Sequence, residues 1–344
     1  MLSNVTKPLV QHAPEFDNKT AVHLAERLYG LTVTASDLPS ERDQNFLLTT
    51  AAGEKFVLKI ANSLEDEDLL MAQSEAMMRV GSQAPICQQL IPTVAGNLLE
   101  KVKSQSGDAN FVRLATYLEG KPLGEAQMLS PRLLNNLGSK LARMDSILLQ
   151  FDRPSLHRRF HWDLANWEAV VGEHLDLVND VPLRELVRHY TTTFTRDVAP
   201  LLPGLRRSCI HGDPNDYNVI MNSDSSGVVG FIDFGDMVYS YTVADLAIAI
   251  AYVVLKTERW LTAMTQLVSA YHAVLPLHDE EMKVLWGLTL MRLSMSVCLA
   301  AYQQQQQPQN QYLDISQEAI CAKLPELIRV DQPKVSRALR QALR

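Results

Sequence analysis

Hydrophobic and polar positions alternate with a period of two at residues 54–60, in the first third of the chain. A turn that contains glycine joins this segment to a preceding strand candidate at residues 45–50. This pattern predicts a β-hairpin. In its second strand Phe56 and Leu58 alternate with Lys59, so the lysine is predicted on the opposite face of the strand.

Helical periodicity flanks this hairpin on both sides. Asp17 is the predicted N-cap of a helix that ends at Gly30, and a second helix is predicted over residues 64–80 with Gly81 as its stop. Further alternating stretches predict two more strands, at residues 90–102 and 110–117.

Helical patterns dominate the chain beyond residue 120. Ser130 and Pro131 form a favourable N-cap and first position for a helix through Leu149. Further helices are predicted to begin near Asp163, Pro182 and Ala244. The expected fold is therefore α+β, with two lobes around a cleft: a strand-rich N-lobe (1–113), a hinge (114–120) and a helical C-lobe (121–344).

Composition narrows the class of protein without identifying it. The 344 residues are 47% hydrophobic and 21% charged, with a net charge of -7 and a pI near 5.7. These values are typical of a soluble globular protein and show no basic footprint for nucleic acid or a membrane surface. The four cysteines lack metal-ligand spacing, and no signal peptide precedes them, so we expect reduced thiols in a cytoplasmic protein.

An apolar stretch at residues 284–302 approaches the length of a membrane span. Arg292 lies in its middle and acidic residues precede it. Since a central arginine is costly in a bilayer, we predict a buried helix of a large lobe.

Polar residues form one motif that names a reaction type. The chain reads H-x-D-x-x-x-x-N from His211 to Asn218 and then D-F-G from Asp233. This is the order of parts in the phosphoryl-transfer template of kinases. In that template Asp213 is the base for the acceptor hydroxyl, while Asn218 and Asp233 are oxygen ligands suited to Mg²⁺. His211 is interpreted as a catalytic-loop organiser; the alternative is that both Asp residues only cap turns.

Other candidates follow from the same template. Lys59 lies in a V-L-K-I strand, close to the kinase V-A-I-K motif, and would contact nucleotide phosphates. Glu75 on the next helix is its candidate partner, although it could instead pair with Arg79 at i,i+4. Asp236 directly follows the D-F-G and is a candidate acceptor contact, whereas Asp245 is predicted to be a cap or structural anchor.

Two protein-kinase signatures are missing from the sequence. No G-x-G-x-x-G loop precedes Lys59, and no A-P-E follows Asp233. A protein kinase is therefore disfavoured, and a kinase that acts on a small molecule is favoured.

With these motifs the chain resembles the aminoglycoside phosphotransferase and choline kinase superfamily. The glycine after His211 matches its H-G-D-x-x-x-x-N loop, and Ile232 to Asp236 matches its metal-binding motif. Within the superfamily the chain is most similar to the hydroxylysine kinase branch, on three stretches: residues 38–47, Asn215-Asp216 and residues 310–313.

The resemblance implies a protein-kinase-like two-lobed fold and further contacts to the nucleotide. Ser40 and Asn45 bound a segment that would close over the phosphates in place of a glycine-rich loop. The backbone of the hinge, at Thr116 and Leu118, would bind the purine of ATP or GTP.

The predicted enzyme transfers a γ-phosphate to a hydroxyl of an amine-bearing metabolite, with 5-hydroxylysine as the best guess. Open alternatives are choline or ethanolamine, homoserine, aminoglycosides, or a pseudokinase that binds without catalysis. Candidate acceptor contacts besides Asp236 are Trp162 and Tyr312. We expect a monomer or homodimer with no nucleic-acid or membrane partner.

Overall fold

A computed structural model describes residues 14–40, 42–104, 107–306 and 317–343. In this structure the chain divides into two units, with the boundary between Glu119 and Gly120. The first unit is built on one antiparallel sheet, and the second is largely helical.

The sheet of the first unit has six strands in the order β1-β2-β3-β6-β4, and β5 pairs with β6 beside this path. Its strands are β1 (Val33–Leu38), β2 (Gln44–Thr50), β3 (Lys55–Ile60), β4 (Leu90–Ile91), β5 (Glu100–Lys103) and β6 (Ala109–Thr116). The predicted hairpin is confirmed as β2 and β3. The strand predicted over 90–102 is wrong in extent, because a turn divides it into β4 and β5.

Strand β1 was missed because none of its residues is fully buried, so no apolar alternation marks it. It pairs with β2 along its whole length, and Val33 and Ala35 pack against the core while staying partly exposed. The core of this unit lies between α1 (Asn18–Tyr29) and one face of the sheet.

Both ends of α1 are as predicted. Asp17 accepts a hydrogen bond from the backbone N–H of Thr20 at 2.7 Å, and Gly30 ends the helix in the left-handed region at φ 67°. Helix α2 (Glu67–Gln83) begins after the N-cap Asp66 and continues through Gly81, so the predicted stop is wrong. A Cβ at Gly81 would overlap the side chain of Gln89, which shows that this glycine permits close packing.

The second unit contains helices α3 to α10 and two small sheets. The helices are α3 (Pro131–Leu148), α4 (Trp167–His174), α5 (Val181–Asp197), α6 (Val243–Leu255), α7 (Trp260–His272), α8 (Asp279–Gln306), α9 (Gln317–Ile328) and α10 (Gln332–Ala342). The short strands are β7 (Lys121–Pro122), β8 (Arg207–Ile210), β9 (Val219–Met221), β10 (Val228–Phe231) and β11 (Val238–Tyr241). Strands β10, β9 and β7 form one sheet, and β11 pairs with β8.

Helix α8 is the apolar helix that the sequence predicted. It is long and apolar enough to cross a membrane by length and composition alone, but its most apolar window is 94% buried inside the protein. It packs against α4, α6 and α9, which agrees with the predicted interior helix. The glutamines at 303–306 form its last turn.

Candidate active site

The loop that carries the H-G-D motif connects β8 to β9 and is anchored from beneath by α6. The backbone N–H groups of His211 and Gly212 each donate to the Asp245 carboxylate at 2.8 Å. Asp245 is fully buried, and burial raises the pKa of its carboxyl group. Its two oxygens therefore fix the loop backbone, which is the anchoring role predicted for this residue.

His211 is enclosed by the loop and takes no part in the surface of the site. Its exposure is 0%; its Nδ1 accepts from the Asp213 N–H at 3.3 Å, and its Nε2 lies 3.0 Å from the carbonyl oxygen of Ile232. These partners require the tautomer that carries its proton on Nε2. The ring also packs edge-on against Phe234 of the D-F-G motif. His211 thus joins the two motifs as a positioning residue.

Gly212 is required by its backbone conformation and by a close neighbour. Its φ is 84°, in the region that side-chain-bearing residues rarely adopt, and a Cβ would overlap the carbonyl oxygen of Asp236. The glycine that distinguishes this motif from H-R-D therefore allows the Asp236 backbone to approach the loop.

Three side-chain donors hold the carboxylate of Asp213. Its Oδ2 accepts from Asn215 at 2.6 Å and from Asn218 at 2.8 Å, and its Oδ1 accepts from Arg292 at 2.7 Å. Because both oxygens are engaged, the plane of the carboxylate is fixed. This arrangement suits a base that is fixed in orientation and accepts a proton late in the reaction.

Arg292 is the one member of this group that lies far away in sequence. It is 2% exposed, and its guanidinium lies over the ring of Trp162 at 4.3 Å. Burial alone would lower the pKa of Arg292, but the neighbouring Tyr252, Asp213 and Asp236 raise it above its usual value. The guanidinium is therefore a permanent positive charge beside the candidate base.

Asn215 and Asp216 lie in the middle of the motif and differ in role: Asn215 shapes the loop, and Asp216 is a buried carboxylate. The Oδ1 of Asn215 accepts from the N–H groups of Tyr217 and Asn218, which shapes the loop as an Asx turn. Burial raises the pKa of Asp216, and the ammonium of Lys256, 3.7 Å away, opposes the shift. The Oδ1 of Asp216 is buried without a hydrogen-bond donor.

Asn218 and Asp233 offer oxygen atoms suited to a hard cation. The amide nitrogen of Asn218 donates to Asp213, so its Oδ1 is available as a ligand. Asp233 adopts φ 61°, a strained conformation for a residue other than glycine, and its Oδ1 accepts from Gly235 at 3.2 Å. No group of three or more His, Cys, Asp or Glu side chains suited to a metal occurs among the described residues. Magnesium in kinases needs none, because nucleotide phosphates complete its ligands.

The segment after Asp233 is tied down by a basic residue that no sequence pattern singles out. Arg158 donates to the carbonyl oxygens of Gly235 at 2.8 Å and Met237 at 3.2 Å. The half-buried Asp236 lies in this segment.

The candidate acceptor contacts Asp236 and Trp162 both neighbour Arg292. The carbonyl oxygen of Trp162 accepts from Arg292 at 3.2 Å, and the charge of Asp236 acts on the same guanidinium. The third candidate, Tyr312, lies outside the described residues.

In the strand-rich unit, Lys59 lies in a row of polar side chains across the sheet. Its register partners are Asn45 on β2 and Arg113 on β6, and directly opposed side chains share one face. The Lys59 ammonium lies 3.0 Å from the buried carboxylate of Asp43, which sequence reasoning missed. The Oδ1 of Asn45 is buried without a donor.

Glu75 lies half-buried on α2, two residues from Gln73, which accepts from Arg113 at 3.3 Å. The Arg113–Gln73 bond joins α2 to the polar face of the sheet. The pairing of Lys59 with Glu75 stays a prediction.

The hinge candidates differ in how their backbone is used. The N–H of Thr116 donates to Gln89, and its carbonyl oxygen accepts from the Gln88 side chain, so both groups are engaged. Leu118 makes no backbone hydrogen bond within the described part of the chain. Leu118 rather than Thr116 therefore has backbone groups available for a purine. Ser40 is half-buried next to β1, and its phosphate contact stays a prediction.

A sheet-based unit followed by a helical unit, with an anchored H-G-D loop and a D-F-G turn, defines a phosphotransferase of the kinase type. Comparison with known proteins agrees. The profile of the phosphotransferase enzyme family (APH) matches residues 34–285. The chain belongs to this family and is a phosphotransferase.

Curated relatives cover nearly the whole chain. Hydroxylysine kinase from Danio rerio is 30% identical over 98% of this chain and 97% of its own length. Hydroxylysine kinase from Bos taurus is 32% identical over 88% of this chain and 87% of its own length.

Solved structures share the fold. The amicoumacin kinase hAmiN superposes with a TM-score of 0.70 at 15% identity, over 93% of this chain and 97% of that chain. A microcompartment-associated aminopropanol kinase superposes with a TM-score of 0.69 at 14% identity, over 95% of this chain and 99% of that chain. The predicted protein-kinase-like fold is confirmed.

Proposed function

We propose that the protein is a kinase that transfers the γ-phosphate of ATP or GTP to the hydroxyl of a small amine-bearing metabolite, with 5-hydroxylysine as the preferred acceptor. The observation that carries the chemistry is the Asp213 carboxylate, which three side-chain donors fix in orientation within the H-G-D loop. Relatives named hydroxylysine kinase, at about 30% identity over almost the full chain, support the acceptor.

In this proposal Asp213 receives a hydrogen bond from the acceptor hydroxyl. The hydroxyl oxygen attacks the γ-phosphorus, and the bond from that phosphorus to the β,γ-bridging oxygen breaks. The hydroxyl proton passes to Asp213 late in the step, and the products are a phosphate monoester and a nucleoside diphosphate. Arg292, Asn215 and Asn218 keep the carboxylate oriented throughout, which is where most of their contribution lies.

Asn218 and Asp233 would hold Mg²⁺ through oxygen atoms, and Lys59 would contact the nucleotide phosphates. When bound, the metal neutralises the negative charge that develops on the transferred group. Asn45 and Ser40 are proposed as further phosphate contacts, and the backbone of Leu118 as the purine contact. A backbone contact does not by itself choose between adenine and guanine.

The amine of the acceptor is proposed to interact with the carboxylates of Asp236 and Asp216. Asp216 has a buried oxygen without a donor, and an ammonium group would supply one. Buried acceptors without a partner are rare in proteins, which supports a ligand at this point.

A coupled assay of nucleoside diphosphate release tests this proposal. The acceptors are 5-hydroxylysine, choline, ethanolamine, homoserine and an aminoglycoside, each with ATP and with GTP, in the presence and absence of Mg²⁺. We expect metal-dependent turnover with the highest kcat/KM for 5-hydroxylysine. Nucleotide binding without turnover of any acceptor would contradict the proposal and would instead indicate a pseudokinase.

A further inference from the structure

Arg292 is a buried cation whose local surroundings do not explain it fully. It lies in the apolar stretch of α8, and desolvating a guanidinium is costly unless its N–H groups find acceptors. One terminal nitrogen donates to Asp213 and the other to the carbonyl oxygen of Trp162. Its Nε is buried without an acceptor.

Another arginine that contacts the same helix forms a bidentate pair with a carboxylate. Arg206 donates from Nε and Nη2 to the two oxygens of Glu281, at 3.1 Å and 3.0 Å. This is the bidentate geometry that carboxylates and guanidinium groups prefer. Arg292 instead donates to Asp213 from one terminal nitrogen, and the phenol of Tyr252 is a further hydrogen-bond partner. Its Nε–H is the donor that stays without an acceptor.

The contact of Arg292 with the indole of Trp162 leaves this donor unused. The guanidinium carbon lies over the ring at 4.3 Å, and such a contact is an attraction between the positive charge and the ring rather than a hydrogen bond. The contact therefore does not satisfy the Nε–H. An acceptor for it must come from the edge of the group.

The charges around Arg292 suit a ligand that carries both a positive and a negative group. Asp213 and Asp236 interact with its positive charge from the catalytic loop and the D-F-G turn, and the phenol of Tyr252 on α6 lies beside it. Asp216 also acts on Tyr252, with Lys256 as its own partner. Carboxylates suit the ammonium groups of an acceptor, and the unfilled edge of Arg292 suits a carboxylate.

This inference rests on the proposed function and names its substrate class. We propose that Arg292 recognises the carboxylate of the acceptor, so that the substrate is a hydroxylated amino acid rather than an amino alcohol that lacks a carboxylate. Arg292 would then be a specificity-determining residue next to the base. The preference for 5-hydroxylysine over aminopropanol-like or choline-like acceptors would follow from this one side chain.

Two pairs of ligands that differ only in the carboxylate test the proposal. The first pair, L-lysine and cadaverine, lacks the hydroxyl, and its dissociation constants are measured calorimetrically without turnover. The second pair, 5-hydroxylysine and its decarboxylated analogue, is compared by kcat/KM. We expect the carboxylate-bearing member to be favoured by about 10²-fold or more in each pair.

Variants assign this preference to Arg292. Arg292→Met should bring both ratios close to about one, and Arg292→Lys, which keeps the charge, should retain part of them. Arg206→Met is the matched control, because it breaks an arginine–carboxylate pair with Glu281 of the same helix and removes no donor to Asp213. That control should lower thermal stability and leave both ratios unchanged.

The possible outcomes separate the two proposals. Equal binding of L-lysine and cadaverine by the wild type, or binding of neither, overturns the role of Arg292 whether or not any acceptor is phosphorylated. An equal loss for both members of a pair in Arg292→Met also overturns it, since that result assigns Arg292 to orienting Asp213 alone. Preferential binding of L-lysine without turnover of any alcohol would support the carboxylate site and contradict the kinase reaction.

Discussion

Helix α8 takes part in two arginine–carboxylate pairs, which differ in how completely the hydrogen-bond donors of the arginine are satisfied. At its start, Arg206 and Glu281 satisfy each other through two hydrogen bonds, and Glu281 also accepts from the N–H of His278. In its middle, a terminal nitrogen of Arg292 donates to Asp213 at 2.7 Å, and the Nε of Arg292 has no acceptor.

The difference separates a pair that stabilises the fold from a pair that belongs to the reaction. A closed bidentate pair contributes to stability only by avoiding the cost of an uncompensated charge. In the second pair the arginine donates to several partners and keeps one N–H group without an acceptor, and a ligand could bind to that group. Similar changes in the two regions should therefore differ in their effects on turnover and on unfolding.

The largest effect is expected from Asp213→Asn. The amide preserves the size of the side chain but removes the base, so kcat/KM should fall by about 10²–10⁴-fold. The candidate nucleotide contacts lie elsewhere, so nucleotide binding should persist, and this can be followed by calorimetry on the same sample. Turnover near that of the wild type would remove Asp213 from the role of base.

Gly212→Ala is expected to lower turnover by changing the backbone of the catalytic loop. An alanine at φ 84° is strained, and its Cβ would push away the Asp236 carbonyl. Since small displacements of catalytic groups are costly, we expect kcat/KM to fall by about 10²-fold. Gly204→Ala offers a matched control, because a Cβ there meets nothing within 4 Å. Equal activity of the two variants would contradict this account of the loop.

Glu281→Gln makes the same carboxylate-to-amide change in the closed pair. The lost charge should lower the free energy of unfolding by about 1.5–3 kcal/mol. Turnover at temperatures where the variant stays folded should change by less than about twofold, since Glu281 bonds to Arg206 and His278 and to no residue of the catalytic loop within the described contacts. Denaturant unfolding and kinetics on one preparation provide both values. A large loss of kcat with normal stability would show that the Arg206–Glu281 pair belongs to the reaction rather than to the stability of the fold.

Asp145→Asn extends the comparison to a buried carboxyl that accepts from the phenol of Tyr271 at 2.6 Å. Burial and the neighbouring Asp245 carboxylate raise the pKa of Asp145 well above its usual value. The folded state therefore holds this proton more tightly than the unfolded state does. Wild-type stability should fall as pH rises from about 4 through the raised pKa, because the unfolded carboxyl ionises first.

The amide that replaces the carboxyl group in Asp145→Asn stays neutral at every pH, so this part of the pH dependence should disappear in the variant. Urea unfolding at several values between about pH 4.5 and 8 measures it. Parallel stability curves for the two proteins would show that the raised pKa of Asp145 does not contribute.

The local parts of this molecule could be predicted from the sequence because their causes are local. The cap at Asp17, the stop at Gly30 and the β2–β3 hairpin follow from patterns within a few residues. The H-G-D loop and the D-F-G turn were identifiable because kinases use these residue types in this order. Strand β1 was missed because it lacks buried residues, and backbone pairing leaves no trace in side-chain pattern.

The long-range parts needed the fold. Arg292 was recognisable as an unusual charge in an apolar stretch, which predicted burial, but its partner lies 79 residues away in the chain. Asp43 and Arg158 gave no signal, because a surface Asp or Arg has the same appearance in a sequence as one that holds Lys59 or the D-F-G turn. Asp245 was interpreted correctly as an anchor, although the groups it anchors were not predictable.

Phosphorus NMR of the reaction products shows which atom of the acceptor receives the phosphate. Purified protein is incubated with a nucleoside triphosphate, Mg²⁺ and 5-hydroxylysine, and the site of the new phosphate is determined. We expect a phosphate monoester on the side-chain hydroxyl oxygen, formed in equal amount to nucleoside diphosphate, and formed at least about 10²-fold more slowly with Asp213→Asn. Nucleoside diphosphate with free phosphate alone, or a phosphate on an amine nitrogen, would contradict the proposed reaction.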